Sequence, residues 1–183
     1  MVYLNQKAEL QPFFVFNHNS YKAIVNLIQM KTLPSTELLG SSKIEIHYQR
    51  PQLQEMHHIS CAEDADMILR KYINPQQLDL RECFWVILLT NANRVLAISE
   101  VATGTTRGVQ TNPKYIFQLA LLTNASAIIV AHNHPSGNLK ISTRDMKETK
   151  KLQRLATLMD ITLLDHIIIT SESFASFVKE GKL

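Results

Sequence analysis

The chain has 183 residues, of which 45% are hydrophobic, and its 19 basic and 16 acidic side chains give a net charge of +3. This length allows one domain with a hydrophobic core and excludes two full domains, while the charge is well below that of a dedicated nucleic-acid-binding protein. Two isolated cysteines exclude a disulfide framework and a Cys-x-x-Cys zinc site. Because no signal-peptide pattern or membrane-length apolar run is present, we expect a soluble, cytoplasmic protein without membrane contact.

The first 42 residues differ from the rest of the chain. A short helix is predicted over 21–30, and a polar stretch over 33–42 is typical of a linker. We therefore interpret residues 1–42 as an N-terminal arm and residues 43–183 as the folded domain.

The first half of the domain contains signals for three strands and one helix. Alternating side chains over 43–50 predict a strand, and Ser60 with Glu63 forms a capping-box pattern that opens a helix ending near residue 72. The continuous apolar run over 84–90 predicts a strand buried on both faces. Turn residues follow it, so we expect this strand to pair with the next one, over 95–104, as a hairpin.

The second half alternates helices and strands. Asn112 and Pro113 predict the start of a helix that ends near residue 123, and a strand follows over 126–132. Ser142 caps a predicted helix that ends near residue 159, a buried strand is predicted over 161–170, and a last short helix over 173–179. This order predicts an α/β fold, with a mixed sheet flanked by helices.

The segments HNHPSG (132–137) and STRD (142–145) carry the strongest functional signal. In an extended strand His132 and His134 point the same way, so their imidazoles can meet at one point. Asp145 falls within the apolar arc of its predicted helix, where an unpaired carboxylate is costly. Two imidazoles and one carboxylate match a catalytic zinc site. A capping box between Ser142 and Asp145 is the alternative explanation of that spacing.

A zinc hydrolase also needs a base that accepts a proton from water. Glu100 is the candidate, because regular alternation of its strand would place it on one face with Leu96 and Ile98. The alternative is a charged residue that meets solvent at the end of a strand. Ser142 can donate its hydroxyl group to an oxyanion while it caps its helix.

A glutamate on a strand, then His-x-His and, after seven intervening residues, Ser-x-x-Asp resembles the zinc motif of the JAMM metallopeptidases. The segments HNHPSGNLKIS and LLDHIIIT are more closely similar to the RadC family of bacteria, which is named for DNA repair. The resemblance covers about residues 43–183. It implies the three-layer JAB/MPN fold, which is similar to that of cytidine deaminases, and a protein or peptide substrate. Longer relatives carry a helix-hairpin-helix region, whose glycine hairpins residues 1–42 lack.

Carried over to this chain, the resemblance implies one Zn²⁺ ion bound by His132, His134 and Asp145. It implies acid/base catalysis by Glu100 and oxyanion support from Ser142. It also marks Asp165 and His166, which either orient a ligand or only satisfy each other and the backbone.

The main alternative is a nucleic-acid interaction protein in which the zinc is structural or vestigial. Its candidate residues form a basic stripe on the predicted helix over 143–159, namely Arg144, Lys147, Lys151 and Arg154. A solvated helix face is the commoner meaning of such a stripe. A nucleobase deaminase is unlike this chain, which lacks the Pro-Cys-x-x-Cys motif of that class. Neither the scissile bond nor the oligomeric state is indicated by the sequence.

Overall fold

The computed structural model describes residues 31–32, 44–45, 47–105 and 108–183. Within these ranges the α-helices are α1 (Ala62–Tyr72), α2 (Pro113–Leu122) and α3 (Thr143–Leu158). Two short strands, β1 (Lys31–Thr32) and β2 (Ile44–Glu45), pair with each other in an antiparallel ribbon. The main sheet contains β3 (Cys83–Leu89), β4 (Val95–Thr103), β5 (Ala127–Asn133), β6 (Thr162–Ile169) and β7 (Phe174–Ser176).

The main sheet has the strand order β4-β3-β5-β6-β7, and only the β5–β6 pair is parallel. This parallel pair requires a crossover, which α3 provides. Every residue of β3 and β5 is buried. The predicted α/β class, the mixed sheet and the hairpin of β3 with β4 are therefore confirmed.

Helices cover both faces of the sheet. The face formed by Phe84, Val86 and Val130 packs against α2 and α3, and we call it the α3 face. The opposite face, which includes Trp85 and Ile87, packs against α1, and we call it the α1 face. Each fully buried aliphatic side chain contributes roughly 1.5–3 kcal/mol relative to exposure, so these two cores fix the three layers.

β4 departs from regular alternation at two bulges. Its register against β3 shifts once between Val95 and Ala97, and again between Glu100 and Ala102. An extra residue in a strand reverses the face of every side chain that follows it. Leu96 therefore packs on the α3 face, whereas Ile98 packs on the α1 face.

Some sequence predictions are wrong in detail. The predicted helix over 173–179 contains instead β7, which pairs antiparallel with β6, followed by turns. Among the described residues of the predicted strand over 43–50, only the two residues of β2 form a strand, and residues 47–50 are irregular. The capping carboxylate of α1 belongs to Asp64 and not to Glu63, because it accepts from the main-chain N–H groups of Ser60 and Cys61.

The predictions for the N-terminal arm fall largely outside the described residues. The helix over 21–30 and the linker over 33–42 lie there, and the boundary at residue 43 stays a prediction. None of the helices within the described ranges is long and apolar enough to cross a membrane.

Candidate metal centre

Three side chains from two elements converge at the end of β5. His132 is the penultimate residue of β5, His134 follows the strand directly, and Asp145 lies in the first turn of α3. The Nε2 atoms of the two histidines are 2.9 Å apart, and the Asp145 carboxylate oxygens lie 3.4 Å from His132 Nε2 and 3.8 Å from His134 Nε2. Ligands of one tetrahedral zinc ion are separated by about 3.4 Å, so these atoms are spaced to share a metal.

The loop after β5 orients His134. Its Nδ1 atom lies 2.6 Å from the main-chain oxygen of Asn138, which can only accept a hydrogen bond. Nδ1 therefore carries the proton and Nε2 keeps its lone pair. Gly137 has a φ of +75°, a conformation that favours glycine, and its N–H group donates to the main-chain oxygen of His134. The turn at Gly137 thus brings the main-chain oxygen of Asn138 back to the His134 ring.

His132 is oriented by a chain of buried hydrogen bonds that ends on another candidate ligand. Its Nδ1 atom is 2.8 Å from Nε2 of His166, whose Nδ1 is 2.6 Å from the hydroxyl group of Thr149. That hydroxyl group lies 2.7 Å from the main-chain oxygen of Asp145. The candidate ligands on β5 and α3 are therefore connected through two other side chains.

The donor and acceptor roles along this series of hydrogen bonds are fixed where it ends, at the main-chain oxygen of Asp145. Because a main-chain oxygen only accepts, Thr149 donates to Asp145 and must accept from Nδ1 of His166. Nε2 of His166 then accepts the proton of His132 Nδ1, so that in the neutral form of His132 the Nε2 lone pair points to the other candidate ligands. Burial is the main cause that lowers the pKa of His166 well below its usual value. A neutral His166 is the form that this chain requires.

Asp145 has two roles at once. Its Oδ2 atom accepts from the main-chain N–H of Ser142 at 2.7 Å, and its own N–H donates to the Ser142 hydroxyl oxygen at 3.1 Å. The capping box is therefore real, and Oδ1 remains directed at His132. Burial raises the pKa of Asp145, but the contacts with His132 and Ser142 outweigh it and hold the pKa well below its usual range. The carboxylate is thus ionised, as a metal ligand must be.

A cavity of about 240 Å³ opens beside this group on the α3 face. His132 and Asp145 line it, together with Phe84, which stacks on the His132 ring, and Glu82. Glu82 is half-buried, and no described residue donates a hydrogen bond to its carboxylate. It lies two residues before Phe84, whose register partner is His132. No sequence pattern singled out Glu82, although it lies just before the apolar run that predicts β3.

The structure does not bring Glu100 to the metal group. Glu100 is paired with Trp85 on the α1 face, and it lines a different cavity with Trp85 and Cys83. The prediction that it shares a face with Leu96 is wrong, because the bulge between Val95 and Ala97 reverses the alternation. Its carboxylate accepts from Thr103 at 2.5 Å.

The other predicted residues separate into two groups. His166 contacts His132, whereas Asp165 points away from it and accepts from the hydroxyl group of Ser176, at 2.5 Å, and from two main-chain N–H groups. Asp165 therefore holds β7 against β6 and does not contact a candidate ligand. The hydroxyl group of Ser142 lies at the cap of α3, and its role toward an oxyanion stays a prediction.

The basic stripe on α3 contains three side chains without an ion-pair partner among the described residues and one that is held by a hydrogen bond. Lys147, Lys151 and Arg154 are exposed and form no ion pair with any residue that the structure describes. Arg144 is also exposed, but its guanidinium group donates to the main-chain oxygen of Val109. Arg144 therefore holds the segment that forms one wall of the cavity.

Comparison with known proteins gives a consistent result. A family model described as the RadC-like JAB domain matches residues 59–183. A UPF0758 protein of Flavobacterium johnsoniae is 35% identical over 127 residues, which cover 69% of this chain and 54% of the relative. One from Xanthomonas axonopodis pv. citri is 38% identical over 72% of the chain and 61% of the relative, and one from Histophilus somni is 30% identical over 94% and 80%. The chain thus spans only about half the length of the Flavobacterium protein.

We expect His134→Ala to weaken Zn²⁺ binding by at least about 100-fold, because it removes one of three donor atoms. Competitive titration with a chromophoric chelator measures the affinity. His57→Ala is the matched control, since His57 is exposed and distant in sequence from the group. Equal affinities of the two variants would contradict the assignment.

We expect Thr149→Val to weaken Zn²⁺ binding by roughly 10–100-fold, because the variant cannot orient His166 and through it His132. Thr157→Val on the same helix is the control, since Thr157 also donates to the main-chain oxygen four residues earlier but contacts no candidate ligand. The same titration compares the two. An equal decrease in both variants would mean that the effect comes from the helix alone.

Proposed function

The chain belongs to the RadC-like JAB domain family, and on that premise we propose that it is a zinc-dependent hydrolase of peptide or isopeptide bonds. The observation that carries the proposal is the convergence of two imidazole nitrogens and one carboxylate beside a cavity that Glu82 also lines. The curated relatives are named only as UPF0758 proteins, so the activity is our proposal.

The donor set fits zinc. Neutral imidazole nitrogen and carboxylate oxygen are typical zinc ligands, and catalytic sites use three protein ligands with the fourth position left for water or substrate. His132, His134 and Asp145 would hold the ion. When bound there, zinc polarises a substrate carbonyl group and lowers the pKa of water toward about 7.

Glu82 would move the protons of the reaction. Its carboxylate accepts a proton from the water whose oxygen attacks the carbonyl carbon, and later delivers that proton to the amine nitrogen as the C–N bond breaks. This role needs a carboxylate that is near the ligands and is not already engaged. Glu82 lines the cavity beside them and has no hydrogen-bond donor among the described residues. Glu82 therefore replaces Glu100 as the proposed acid/base.

The wall of the cavity would position the substrate. Arg144 fixes the main chain at Val109, and Thr111 donates to the Glu148 carboxylate, so that the segment after β4 is joined to α3 at two points beside the cavity. Phe84 and His132, which are both buried and stack on each other, also line this cavity. An extended peptide between these walls is the class of substrate that fits.

We expect Glu82→Gln to lower kcat by about 10²–10⁴-fold while Zn²⁺ stays bound, because a neutral amide cannot accept the proton. Glu100→Gln is the matched control, with less than about twofold change expected for a residue outside the cavity. A quenched fluorescent peptide library, read by mass spectrometry, identifies the cleaved bond and gives the rates. If the zinc-loaded wild type cleaves no member, or if Glu100→Gln is the inactive variant, the assignment is overturned.

A second candidate function is the binding of double-stranded nucleic acid by the exposed face of α3. It is favoured by the cations of Lys147, Lys151 and Arg154, which have no acidic partner among the described residues. No aromatic side chain accompanies them to stack on bases, which favours a duplex over a single strand.

Replacing Lys147, Lys151 and Arg154 with alanine is expected to weaken binding to a DNA duplex. The slope of log affinity against log salt should fall by about one for each phosphate group that the variant no longer neutralises. Fluorescence anisotropy over a salt series measures both quantities. The control replaces three exposed lysines elsewhere, Lys71, Lys114 and Lys182, and removes the same charge. Equal effects in the two triple variants would mean that only net charge matters.

A further inference from the structure

Asn133 lies between the two candidate histidine ligands but faces away from them. Neighbouring residues of a strand point to opposite faces of the sheet. The side chain of Asn133 therefore lies on the α1 face, opposite to the side chain of His132. It is fully buried, with 0% of its surface exposed. A buried amide must satisfy its hydrogen bonds within the protein.

All three hydrogen bonds of the Asn133 side chain go to the connection that leads into β3. Its Nδ2 atom donates to the main-chain oxygens of Leu78 at 2.6 Å and Arg81 at 2.8 Å, and its Oδ1 atom accepts from the N–H of Cys83 at 2.7 Å. Arg81 and Cys83 are the two neighbours of Glu82. One side chain thus holds the backbone on both sides of the proposed acid/base.

The side-chain bonds of Asn133 take the place of main-chain hydrogen bonds between β3 and β5, which end just before this residue. The main-chain pairing of β3 with β5 stops at Phe84 and His132, one residue short of Asn133. The main chain of Glu82 pairs on its other side, where its N–H donates to Thr105 and its oxygen accepts from Gly104. Without the amide of Asn133, the start of β3 would be held from one side only.

Only an asparagine side chain has the required chemistry at this length. Two contacts need donors and the third needs an acceptor, which also fixes which end of the amide is nitrogen. An aspartate has the same shape, but it would place an acceptor against the two carbonyl oxygens that now accept from Nδ2. Asn133→Asp is therefore a nearly isosteric change that reverses two of three contacts.

We propose that Asn133 is a positioning residue that holds Glu82 at its place beside the metal ligands. β5 carries His132 on its α3 face and, through Asn133 on its α1 face, holds the backbone beside Glu82. The distance between the candidate metal ligand and the proposed acid/base is therefore set by β5 and not by a flexible loop. The part of this inference that concerns catalysis rests on the proposed function, since it takes Glu82 as the acid/base. The structural part stands independently of any activity.

Hydrogen–deuterium exchange of the full chain tests the structural part. In Asn133→Asp we expect the amides over 79–83 to exchange at least about tenfold faster than in the wild type, with α3 unchanged. Asn74→Asp is the matched control, because Asn74 lies in the same connection and its Oδ1 accepts from Gln76, a contact that aspartate keeps. Should Asn133→Asp not fold, Asn133→Ser removes the same contacts with a small neutral side chain. Unchanged exchange over 79–83 in a folded variant overturns the inference.

A double-mutant comparison tests the catalytic part. With the peptide that the wild type cleaves, we expect Asn133→Asp to lower kcat by roughly 100-fold, with KM and Zn²⁺ affinity nearly unchanged, because misplacement by about 1 Å is that costly. In the Glu82→Gln background the same change should have almost no further effect. Equal decreases in both backgrounds overturn the positioning role. If the wild type cleaves nothing, the proposed function fails, and the exchange experiment still decides what Asn133 holds.

Discussion

β5 is buried on both faces along its whole length, yet its last two residues, His132 and Asn133, are polar. A buried polar group without a partner costs about 1–3 kcal/mol, so His132 and Asn133 each require hydrogen-bonding surroundings on their own face of the sheet. Those surroundings are the chain of His166 and Thr149 on one face and the connection before β3 on the other. The remainder of the site is arranged around these two requirements.

The two faces of the sheet at the end of β5 contact different segments of the protein. This difference arises because the neighbouring strands, β3 and β6, run in opposite directions. β6 is parallel to β5, so α3 must return across the α3 face, and its first turn brings Asp145 to the end of β5. β3 is antiparallel, so it starts where β5 ends, and Glu82 is thereby placed at the same edge. A mixed sheet thus collects residues that are 63 positions apart in the chain, from Glu82 to Asp145.

Much of this arrangement is predictable from local patterns. The buried run of β3, the cap of α3 and the ligand set follow from periodicity and from residue chemistry, which do not require knowledge of distant contacts. Glu82 and Glu100 show where such patterns fail. A continuous apolar run does not reveal which face each residue occupies, so the face of Glu82 depends on the pairing of Phe84 with His132. The bulges of β4, which decide the face of Glu100, arise from its pairing with β3 and have no signature in the sequence.

The C-terminal segment differs from its prediction for a similar reason. Residues 173–179 have no strong helical signal, and their conformation depends on the buried carboxylate of Asp165, which accepts from Ser176 and Val178. Phe177, which is fully buried, stacks on His166 with ring centroids 4.5 Å apart. The residue that follows the edge strand therefore packs against His166, which belongs to the chain of hydrogen bonds that orients His132.

The capping box of α3 has one more consequence. The Asp145 carboxylate is held by the N–H group of Ser142, and the orientation of both imidazoles is set by protein groups alone. Folding itself therefore bears the entropic cost of assembling the three donors, so an ion bound at the proposed site would meet a preorganised set of ligands. Binding of that ion would need little rearrangement of the donors, in contrast to zinc fingers, whose fold requires the metal.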